Sequence, residues 1–439
     1  MSEYTVIGGG PSGLSIGYYL KKKGLKFKLY EASNRLGGNC ITINENNFYF
    51  DSGAHRLHVK DKETTDIFKK LLQDELKEIN VPSQIYINNK YVDFPISPLN
   101  LIRFLGIKSF LLEGFKIIIK KLIKKKQGNN FKDYVLSVYG KKISNLFLIN
   151  YSEKLWGLNA DRLSVEISGK RLKGLNIQTF ILEFIFGKKM KTKHLDGSFL
   201  YPKYGIGTLF DKLSKQLDEG NIHVRSEVRK ILHNKHNIKS ILINNKKHDI
   251  SNLISTIPLD KFILSLSPAP PKNIIDIVNS IKFRHVILIV VFLDKKSVNN
   301  NGSMYFPSNE FSFTRIYEPR NRSKYMSPEN KTSIVAEVPC FESDEYWKMK
   351  KEVLINKIHK QLIKIHLFNE SEIIRTKLYR IKNAYPVLEC GFDKKINKIR
   401  CYLNGFNNLQ ISGRNGLFAY THIHDQFINA REIIKSIEK

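Results

Sequence analysis

The chain has 439 residues, which is enough for two or three domains and too many for one ordinary core. Hydrophobic residues make up 42% and aromatic residues 11%, a composition typical of a folded globular protein that excludes intrinsic disorder. The formal net charge of +31 favours anionic partners such as nucleotides, phospholipid surfaces or nucleic acid, although solvated surface Lys explains much of it equally well.

Cysteine usage and hydropathy restrict the compartment and the kind of site. The four Cys, at positions 40, 340, 390 and 401, form no CxxC pair and no metal-ligand spacing with His. This pattern predicts a reducing compartment, with neither a disulfide framework nor a metal site. No apolar run reaches the roughly 20 residues of a membrane-spanning helix, and no signal sequence precedes the first strand. We therefore expect a cytoplasmic protein.

The first part of the chain predicts a βαβ unit followed by helices. Residues 3–31 have the pattern of a strand, a glycine turn, a helix and a second strand. Residues 65–190 have helical periodicity, interrupted by a pair of short alternating strands around Asn88 and Asn89 that predicts a hairpin. This stretch is a candidate helical insertion that faces the substrate.

Residues 101–126, LIRFLGIKSFLLEGFKIIIKKLIKKK, are both strongly basic and strongly apolar. One interpretation is an interfacial helix that makes peripheral contact with the inner face of a membrane. The interpretation that we favour is a helix of the substrate domain, packed by its Ile and Phe side chains with a solvated Lys face.

The second half of the chain predicts more strands. From Gly205 a helix is followed by a strand, by two short strands that meet at Asn244 and Asn245, and by LISTIP at 253–258. The β-branched run at 284–293 and TSIVAEVP at 332–339 predict a second sheet. NLQISGR at 408–414 predicts a strand, and residues 425–437 predict a closing helix.

A glycine-rich motif lies between the first strand and the first helix. Residues 8–13, GGGPSG, supply G-x-G-x-x-G, in which glycines allow a tight turn and a close approach of the backbone to a pyrophosphate. The helix N-terminus would face the phosphates, and Glu31, at the end of the next strand, would accept hydrogen bonds from ribose. The Lys of a P-loop is absent, so the motif predicts a dinucleotide and excludes an ATPase of that type. The choice between FAD and NAD stays open at this point.

Arg35-Leu36-Gly37-Gly38-Asn39 follows Glu31 and matches R-x-G-G, the second half of the FAD signature of the flavin amine oxidase superfamily. The chain resembles that superfamily, and Val228, STIP at 255–258 and Gly413-Arg414 resemble its later cofactor-contacting segments. The resemblance implies FAD and the following cofactor-binding residues: Gly8, Gly10, Pro11, Ser12, Gly13, Glu31, Arg35, Gly38, Asn39, His55, Arg56, Val228, Gly413 and Arg414.

Together these patterns predict an α/β fold with a discontinuous Rossmann-like FAD-binding domain of the glutathione reductase type. We expect residues 1–64, 200–260 and 400–439 to form that domain. Residues 65–199 would form a mainly helical substrate-side domain, and residues 261–399 a second, mixed β-sheet substrate domain.

Within the superfamily the chain resembles the UDP-galactopyranose mutases and their relatives in glycan pathways. GAHRLH at 53–58 resembles their G-P-H-x-x-H segment, and YSEKLWG at 151–157 resembles Y-T-E-K-x-W-G. FTRIYE at 313–318 resembles F-T-R-I-x-E, and GRNGLFAY at 413–420 resembles G-R-L-x-x-Y-x-Y. Arg171 lies close to the place of a substrate-side Arg in that family.

The mutase resemblance implies an exchange of pyranose and furanose ring forms of a nucleotide sugar through N5 of reduced flavin, without net oxidation. Arg side chains would bind the diphosphate as bidentate forks, and Tyr side chains would donate hydroxyl hydrogen bonds. The implied catalytic residues are His55, Arg315, Arg414 and Tyr420. The implied substrate-binding residues are Tyr151, Trp156, Arg171, Arg315 and Tyr420.

Each of these residues also has a structural interpretation. Arg315 would be a surface ion-pair partner of Glu318 if the segment were helical, Trp156 would be a core aromatic, and His55 and His58 would be structural histidines. Arg171, in a Lys-rich stretch, would be ordinary helix surface.

The sequence departs from the mutase pattern at two places. Residues 51–56 lack the Pro of the family, and residues 420–426 carry histidines where the family has Y-Y-D-M-x-Q. FLYPKYGIGTL at 199–209 and Ala384-Tyr385-Pro386-Val387 resemble the protoporphyrinogen oxidase and desaturase branch equally well. An FAD-dependent oxidoreductase for a larger or lipid-like substrate therefore stays open as an alternative. The net charge alone keeps a further alternative open, a non-catalytic flavoprotein or an anion-binding surface protein. No recognisable module predicts specific nucleic-acid binding.

Overall fold

The computed structural model describes residues 3–94, 96, 98–110, 112–113, 115, 128–168 and 198–437. Arg171 and the basic residues 116–126 lie outside these ranges. Within them, no helix has both the length and the apolar character needed to cross a bilayer.

A parallel sheet built from distant parts of the chain forms the first layer. Its strands are short and rich in apolar side chains, and helices pack on them, so both faces are buried. Val6, Leu29 and Ile254 of the strands pack with Phe210 and Phe427 of the helices. The five strands lie in the order Leu409–Ile411, Asn252–Ser255, Tyr4–Ile7, Phe27–Tyr30 and Ile222–His223. The helices on this sheet are Pro11–Lys22, Lys62–Leu72, Gly207–Ser214 and Ile423–Ile437.

This sheet, together with the mixed sheets described below, confirms the predicted α/β fold class with a discontinuous Rossmann-like part. The predicted pair of strands at Asn244 and Asn245 forms a hairpin whose two turn residues have positive φ, as a tight two-residue turn requires. The small sheet that contains it consists of Lys246–Asp249, Ile238–Ile243, Val228–His233 and Leu266–Ser267.

The second large sheet has seven strands, and its central strand Phe283–Leu293 is buried at every position. Alternate side chains explain this burial. Ile287, Ile289 and Val291 pack toward the helix Lys351–Lys364, whereas the intervening residues pack on the Phe48–Asp51 strand. The strand order is Ile373–Pro386, Phe283–Leu293, Thr332–Cys340, Arg315–Tyr317, Ser303–Tyr305, Ser83–Ile87 and Lys90–Phe94.

The predicted hairpin at Asn88 and Asn89 forms as Ser83–Ile87 and Lys90–Phe94, but its place in the fold differs from our expectation. Ser83–Ile87 pairs in parallel with Ser303–Tyr305, so the hairpin completes the seven-stranded sheet. By hydrogen bonding it belongs with the sheet of residues 261–399 and not with the helices of residues 65–199. Apolar side chains of the hairpin, among them Ile85 and Val92, provide the buried face that favours this pairing.

The remaining elements surround these sheets. Helices Pro98–Leu105, Phe131–Ile143 and Asn150–Trp156 come after the hairpin, and a π-helical turn, Ser144–Ile149, joins the last two. Leu76–Asn80 pairs with Ser198–Pro202, and Thr42–Glu45 pairs with Phe48–Asp51. Further helices are Leu259–Leu264, Lys272–Ser280, Glu345–Lys348 and Phe392–Leu403.

Candidate active site

The three glycines of the G-x-G-x-x-G motif have different structural roles. Gly8 has φ +98°, in the region that favours glycine. A Cβ on Gly13 would lie 1.8 Å from the Gly8 carbonyl oxygen, so Gly13 lets the helix pack against the strand. Gly10 has extended backbone, and the nearest atom to a Cβ there would be 3.7 Å away, on Gly38. Gly10 therefore borders open space that a ligand can occupy.

Glu31 fixes the geometry of the turn beside this space. Its Oε2 accepts a hydrogen bond from the Gly9 backbone N–H at 2.7 Å, and its Oε1 accepts one from the Ser33 N–H at 2.8 Å. Arg35 donates from Nη1 to the Gly38 carbonyl at 3.0 Å within its own loop. The Gly37 N–H donates to the Gly9 carbonyl at 2.9 Å, which holds this loop against the glycine turn. Arg35 itself is exposed and acts on the loop, whereas Gly38 forms the wall of the cavity.

A continuous cavity of about 3260 Å³ extends from the glycine turn to the seven-stranded sheet. Its volume is several times that of an ordinary single-ligand pocket, and it has room for a dinucleotide and a second ligand. Among the predicted site residues, Gly13 and Arg35 lie behind its wall, and Arg171 lies outside the described residues. The others line it: Gly8, Gly10, Pro11, Ser12, Glu31, Gly38, Asn39, His55, Arg56, Tyr151, Trp156, Val228, Arg315, Gly413, Arg414 and Tyr420.

His55 lies in the loop that follows the Phe48–Asp51 strand, at the wall of the cavity. Its Nε2 hydrogen bonds to the Asn39 carbonyl at 2.9 Å, which assigns the proton to Nε2. Burial, followed by the nearby Arg414 cation, lowers the pKa of His55 to about 3. The imidazole is therefore neutral at physiological pH. Arg322 donates from Nη1 to the His55 carbonyl at 3.3 Å and so stabilises this loop.

Arg315 lies on a strand and pairs with Glu337, so the alternative of a helical ion pair with Glu318 is wrong. Arg315 and Glu337 are directly opposite each other on neighbouring antiparallel strands. The guanidinium donates from Nε at 2.9 Å and from Nη2 at 2.6 and 2.8 Å to the carboxylate. Nη1 has no hydrogen-bond partner among the described residues, and it is the part of the guanidinium that remains for a ligand.

An aromatic wall surrounds the two arginines. The rings of Trp156 and Tyr420 lie 5.8 Å apart, and the Arg414 guanidinium lies 4.7 Å from the Tyr420 ring centroid and 5.2 Å from that of Tyr385. Tyr151 packs edge-on against another ring, and burial raises the pKa of its hydroxyl. The Tyr151 phenol therefore stays protonated and can donate a hydrogen bond.

Some side chains of the YSEKLWG segment line the cavity, and others hold the segment in place through hydrogen bonds to the backbone. In the helix Asn150–Trp156, residues 151, 152, 155 and 156 line the cavity, as the helical repeat allows. Glu153 accepts from the Ala160 N–H at 2.8 Å. Lys154 donates to the backbone carbonyls of Phe306, Ser308 and Phe313 at distances of 2.6 to 2.9 Å, and so joins the helix to the sheet.

Sequence reasoning missed two residues of this site. Glu337 had a signal, because it is the one charged residue in the buried strand Thr332–Cys340. It also accepts from the Ala54 N–H at 3.1 Å, which connects the sheet to the His55 loop. Tyr385 was noted only as part of an oxidase-like segment, although its ring lies between Trp156 and Arg414.

Histidines gather where the sequence departs from the mutase pattern. The ring of His422 lies 5.4 Å from that of His58 and stacks at 5.7 Å on that of His424. The Nε2 of His424 is 3.3 Å from a carboxylate oxygen of Asp425. Within the described ranges, no group of three or more His, Cys, Asp or Glu side chains is arranged to hold a metal ion.

The cavity fits an anionic dinucleotide by its polar groups as well as by its shape. Gly10 leaves room at the N-terminus of the Pro11–Lys22 helix, where backbone N–H groups favour phosphate. The buried Nε of Arg414 has no hydrogen-bond partner among the described residues. Because Arg414 lines the cavity, a ligand bound there could accept a hydrogen bond from this atom.

The model of the flavin containing amine oxidoreductase family matches residues 11–386. The chain belongs to this family. Its cofactor is FAD, as the R-x-G-G signature indicated, and the enzyme is flavin-dependent.

The individual relatives differ in their chemistry. Protoporphyrinogen oxidase 2 of Arabidopsis thaliana is 23% identical over 52% of this chain and 50% of its own length. Coproporphyrinogen III oxidase of Bacillus subtilis is 21% identical in an alignment that spans 90% of this chain and 89% of the length of that protein. The crystal structure of reduced UDP-galactopyranose mutase is similar to this structure, with a TM-score of 0.88 at 20% identity. The match spans 100% of this chain and 95% of the mutase chain. At this identity the structural likeness establishes the fold alone.

We expect Gly10→Val to remove FAD without unfolding the protein. The extended backbone at Gly10 accepts Val, and the added side chain would fill the space beside the helix N-terminus. The flavin absorbance of the purified variant and its thermal unfolding measure the two effects. Gly13→Val is the matched control, because its Cβ would collide with the Gly8 carbonyl and should destroy the fold itself. A yellow Gly10→Val protein with full FAD content would contradict the assignment.

The neutral His55 predicts a pH dependence of stability. Between pH 6.5, the ordinary pKa, and about pH 3, the unfolded chain binds a proton that the folded ring does not. The free energy of unfolding should therefore fall as the pH falls through this window. Urea denaturation of the apoprotein at several pH values gives the slope of the free energy of unfolding against pH. This slope should be smaller for His55→Gln than for the wild type, by up to about 1.4 kcal/mol per pH unit, which corresponds to one proton. Identical slopes would indicate that His55 is not held neutral.

Proposed function

We propose that this flavoenzyme is a nucleotide-sugar mutase that exchanges pyranose and furanose ring forms in glycan or polysaccharide biosynthesis. The observation that carries the proposal is a group of side chains on the wall of the cavity. There, two arginines and several aromatic side chains lie together: Arg315, Arg414, Tyr151, Trp156, Tyr385 and Tyr420. Fixed cations beside protonated phenols suit a diphosphate that carries a sugar.

In this proposal Arg414 and Arg315 bind the diphosphate. Arg414 contributes a guanidinium that has aromatic faces as neighbours and a buried Nε in need of an acceptor. Arg315 contributes its Nη1 side, since Glu337 takes the other hydrogen bonds and fixes the orientation of the fork. Tyr151 and Tyr420 donate hydroxyl hydrogen bonds, and Trp156 supplies apolar surface to the base or sugar. Arg171 is proposed as a further substrate contact from its sequence position alone.

FAD in its reduced form would supply a nucleophilic nitrogen for the anomeric carbon. The protein would orient the sugar nucleotide against the flavin, and it would place no charged imidazole beside the flavin. His55 is neutral and has its Nε2 proton committed to the Asn39 carbonyl, so it would shape the flavin side of the cavity without donating a proton there. The aromatic rings and the buried sheet would keep bulk water from the sugar.

A second candidate is an FAD-dependent oxidoreductase for a larger or lipid-like substrate. Two observations favour it: the cavity is much larger than a dinucleotide needs, and the relatives include porphyrinogen oxidases. Its wall also contains apolar side chains such as Phe110 and Phe147. A flat, apolar substrate would suit that part of the cavity.

Anaerobic incubation with UDP-galactopyranose tests both candidates. The FAD-loaded protein is mixed with the sugar nucleotide, with and without dithionite, and the ring forms are separated chromatographically. We expect conversion only with dithionite. Flavin reduction by a porphyrinogen, followed by reoxidation in air, without conversion of any nucleotide sugar, would reject the mutase and support the oxidoreductase.

The Arg315 assignment has its own test. We expect Arg315→Ala, combined with Glu337→Gln to avoid a lone buried carboxylate, to weaken UDP binding at least about tenfold while FAD stays bound. Calorimetric titration of UDP and the flavin absorbance measure the two properties. Arg380→Ala is the control, because Arg380 lies over Trp347 outside the cavity wall. Unchanged UDP affinity in the double variant would exclude Arg315 from the diphosphate site.

The partner and location predictions follow from this proposal. A nucleoside diphosphate sugar made in the cytoplasm would require the enzyme there, which agrees with the Cys pattern of the sequence. Contact with the inner face of a membrane, proposed from residues 101–126, has separate support and a separate test.

A further inference from the structure

Five large apolar side chains are exposed close to one another in the chain, and we call this set the apolar rim. It consists of Phe94, Leu99, Ile107, Leu112 and Phe115, which are 40%, 57%, 62%, 59% and 64% exposed. Four of them, all but Ile107, also line the cavity. Side chains that line a cavity and face solvent lie at its opening, so the apolar rim borders a mouth of the candidate active site.

The apolar rim is separate from the side chains that pack this region into the protein. Leu101 is 1% exposed, and Phe104 and Leu105 pack with it against the hairpin and Phe147. Leu99 lies on the same helix, Pro98–Leu105, with its side chain in solvent. The helix therefore already has a buried face, and the exposed side chains form a second apolar surface. Exposed apolar side chains of this size at the opening of a cavity are typical of an interaction site.

The sequence in and after the apolar rim carries mainly positive charges. Arg103 and Lys108 are exposed, and the sequence from 116 to 126 adds six Lys and no acidic residue. Two carboxylates are near. Asp93 is exposed, whereas Glu113 is buried. Apolar side chains flanked by Lys and Arg match the interfacial region of a bilayer with anionic lipids, where chains meet headgroups.

We propose that the apolar rim docks on an anionic phospholipid bilayer, with the mouth of the cavity at the lipid surface. The apolar side chains enter the boundary between headgroups and acyl chains, and Arg103 and Lys108 contact the phosphates. A bilayer fits better than a protein partner because the positive charge extends beyond the rim into the following sequence. The inference does not depend on which reaction the enzyme catalyses.

Vesicle sedimentation with the FAD-loaded full chain tests the proposal. One vesicle preparation contains phosphatidylcholine alone, and the other contains equal parts of phosphatidylcholine and phosphatidylglycerol. The test variant combines Ile107→Gln, Leu112→Gln and Phe115→Gln. The matched control combines Leu264→Gln, Val353→Gln and Ile374→Gln, which change residues that are 56%, 54% and 44% exposed outside the apolar rim. Both triple variants keep the net charge.

We expect the wild type and the control to bind the anionic vesicles and the rim variant to bind at least about tenfold more weakly. Lys108→Glu should weaken binding in low salt and less so in high salt. If the two triple variants bind the vesicles equally, the binding depends on net charge and not on the apolar rim, and the proposal is wrong. Absence of vesicle binding by the wild type would also overturn it and leave a protein partner or a second copy as the occupant. If the triple rim variant loses FAD, Phe115→Gln alone replaces it.

Discussion

The carboxylate of Glu337 holds together the two halves of the candidate active site. It pairs with Arg315 across two strands and accepts a hydrogen bond from the Ala54 N–H, beside His55. A buried carboxylate requires such partners, since the removal of one partner of a buried pair costs about 3–5 kcal/mol. The position of the cation that we propose for the diphosphate is therefore tied to the loop that we propose for the flavin.

Local patterns predicted the cofactor half of the molecule well. The strand Tyr4–Ile7, the glycine turn and the strand ending before Glu31 are contiguous in sequence, so their geometry follows from short-range rules. The strands Asn252–Ser255 and Leu409–Ile411 were recognisable as short apolar runs, although they join the sheet from far along the chain. Parallel pairing buries both faces, and this makes such runs continuous.

Long-range pairing explains what the sequence left undetermined. The hairpin Ser83–Ile87 and Lys90–Phe94 was predictable, but its parallel partner Ser303–Tyr305 is more than two hundred residues away and has no pattern of its own. In the same way, Arg315 was flagged by its motif, whereas the identity of its partner depends on the register of two strands. A choice between Glu318 and Glu337 needs that register and cannot come from spacing alone.

The seven-stranded sheet also fixes the spacing between two parts of the cavity wall. Ser303–Tyr305 and Ser83–Ile87 lie between the strand of Arg315 and the strand that ends at Phe94. Neighbouring strands lie about 4.8 Å apart, so three steps separate the strand of Arg315 from the strand of Phe94 by about 14 Å. Hydrogen bonds across the sheet keep that length fixed. A ligand that engaged both ends would have to match this spacing, and ligands would then be selected by their length as well as by their charge.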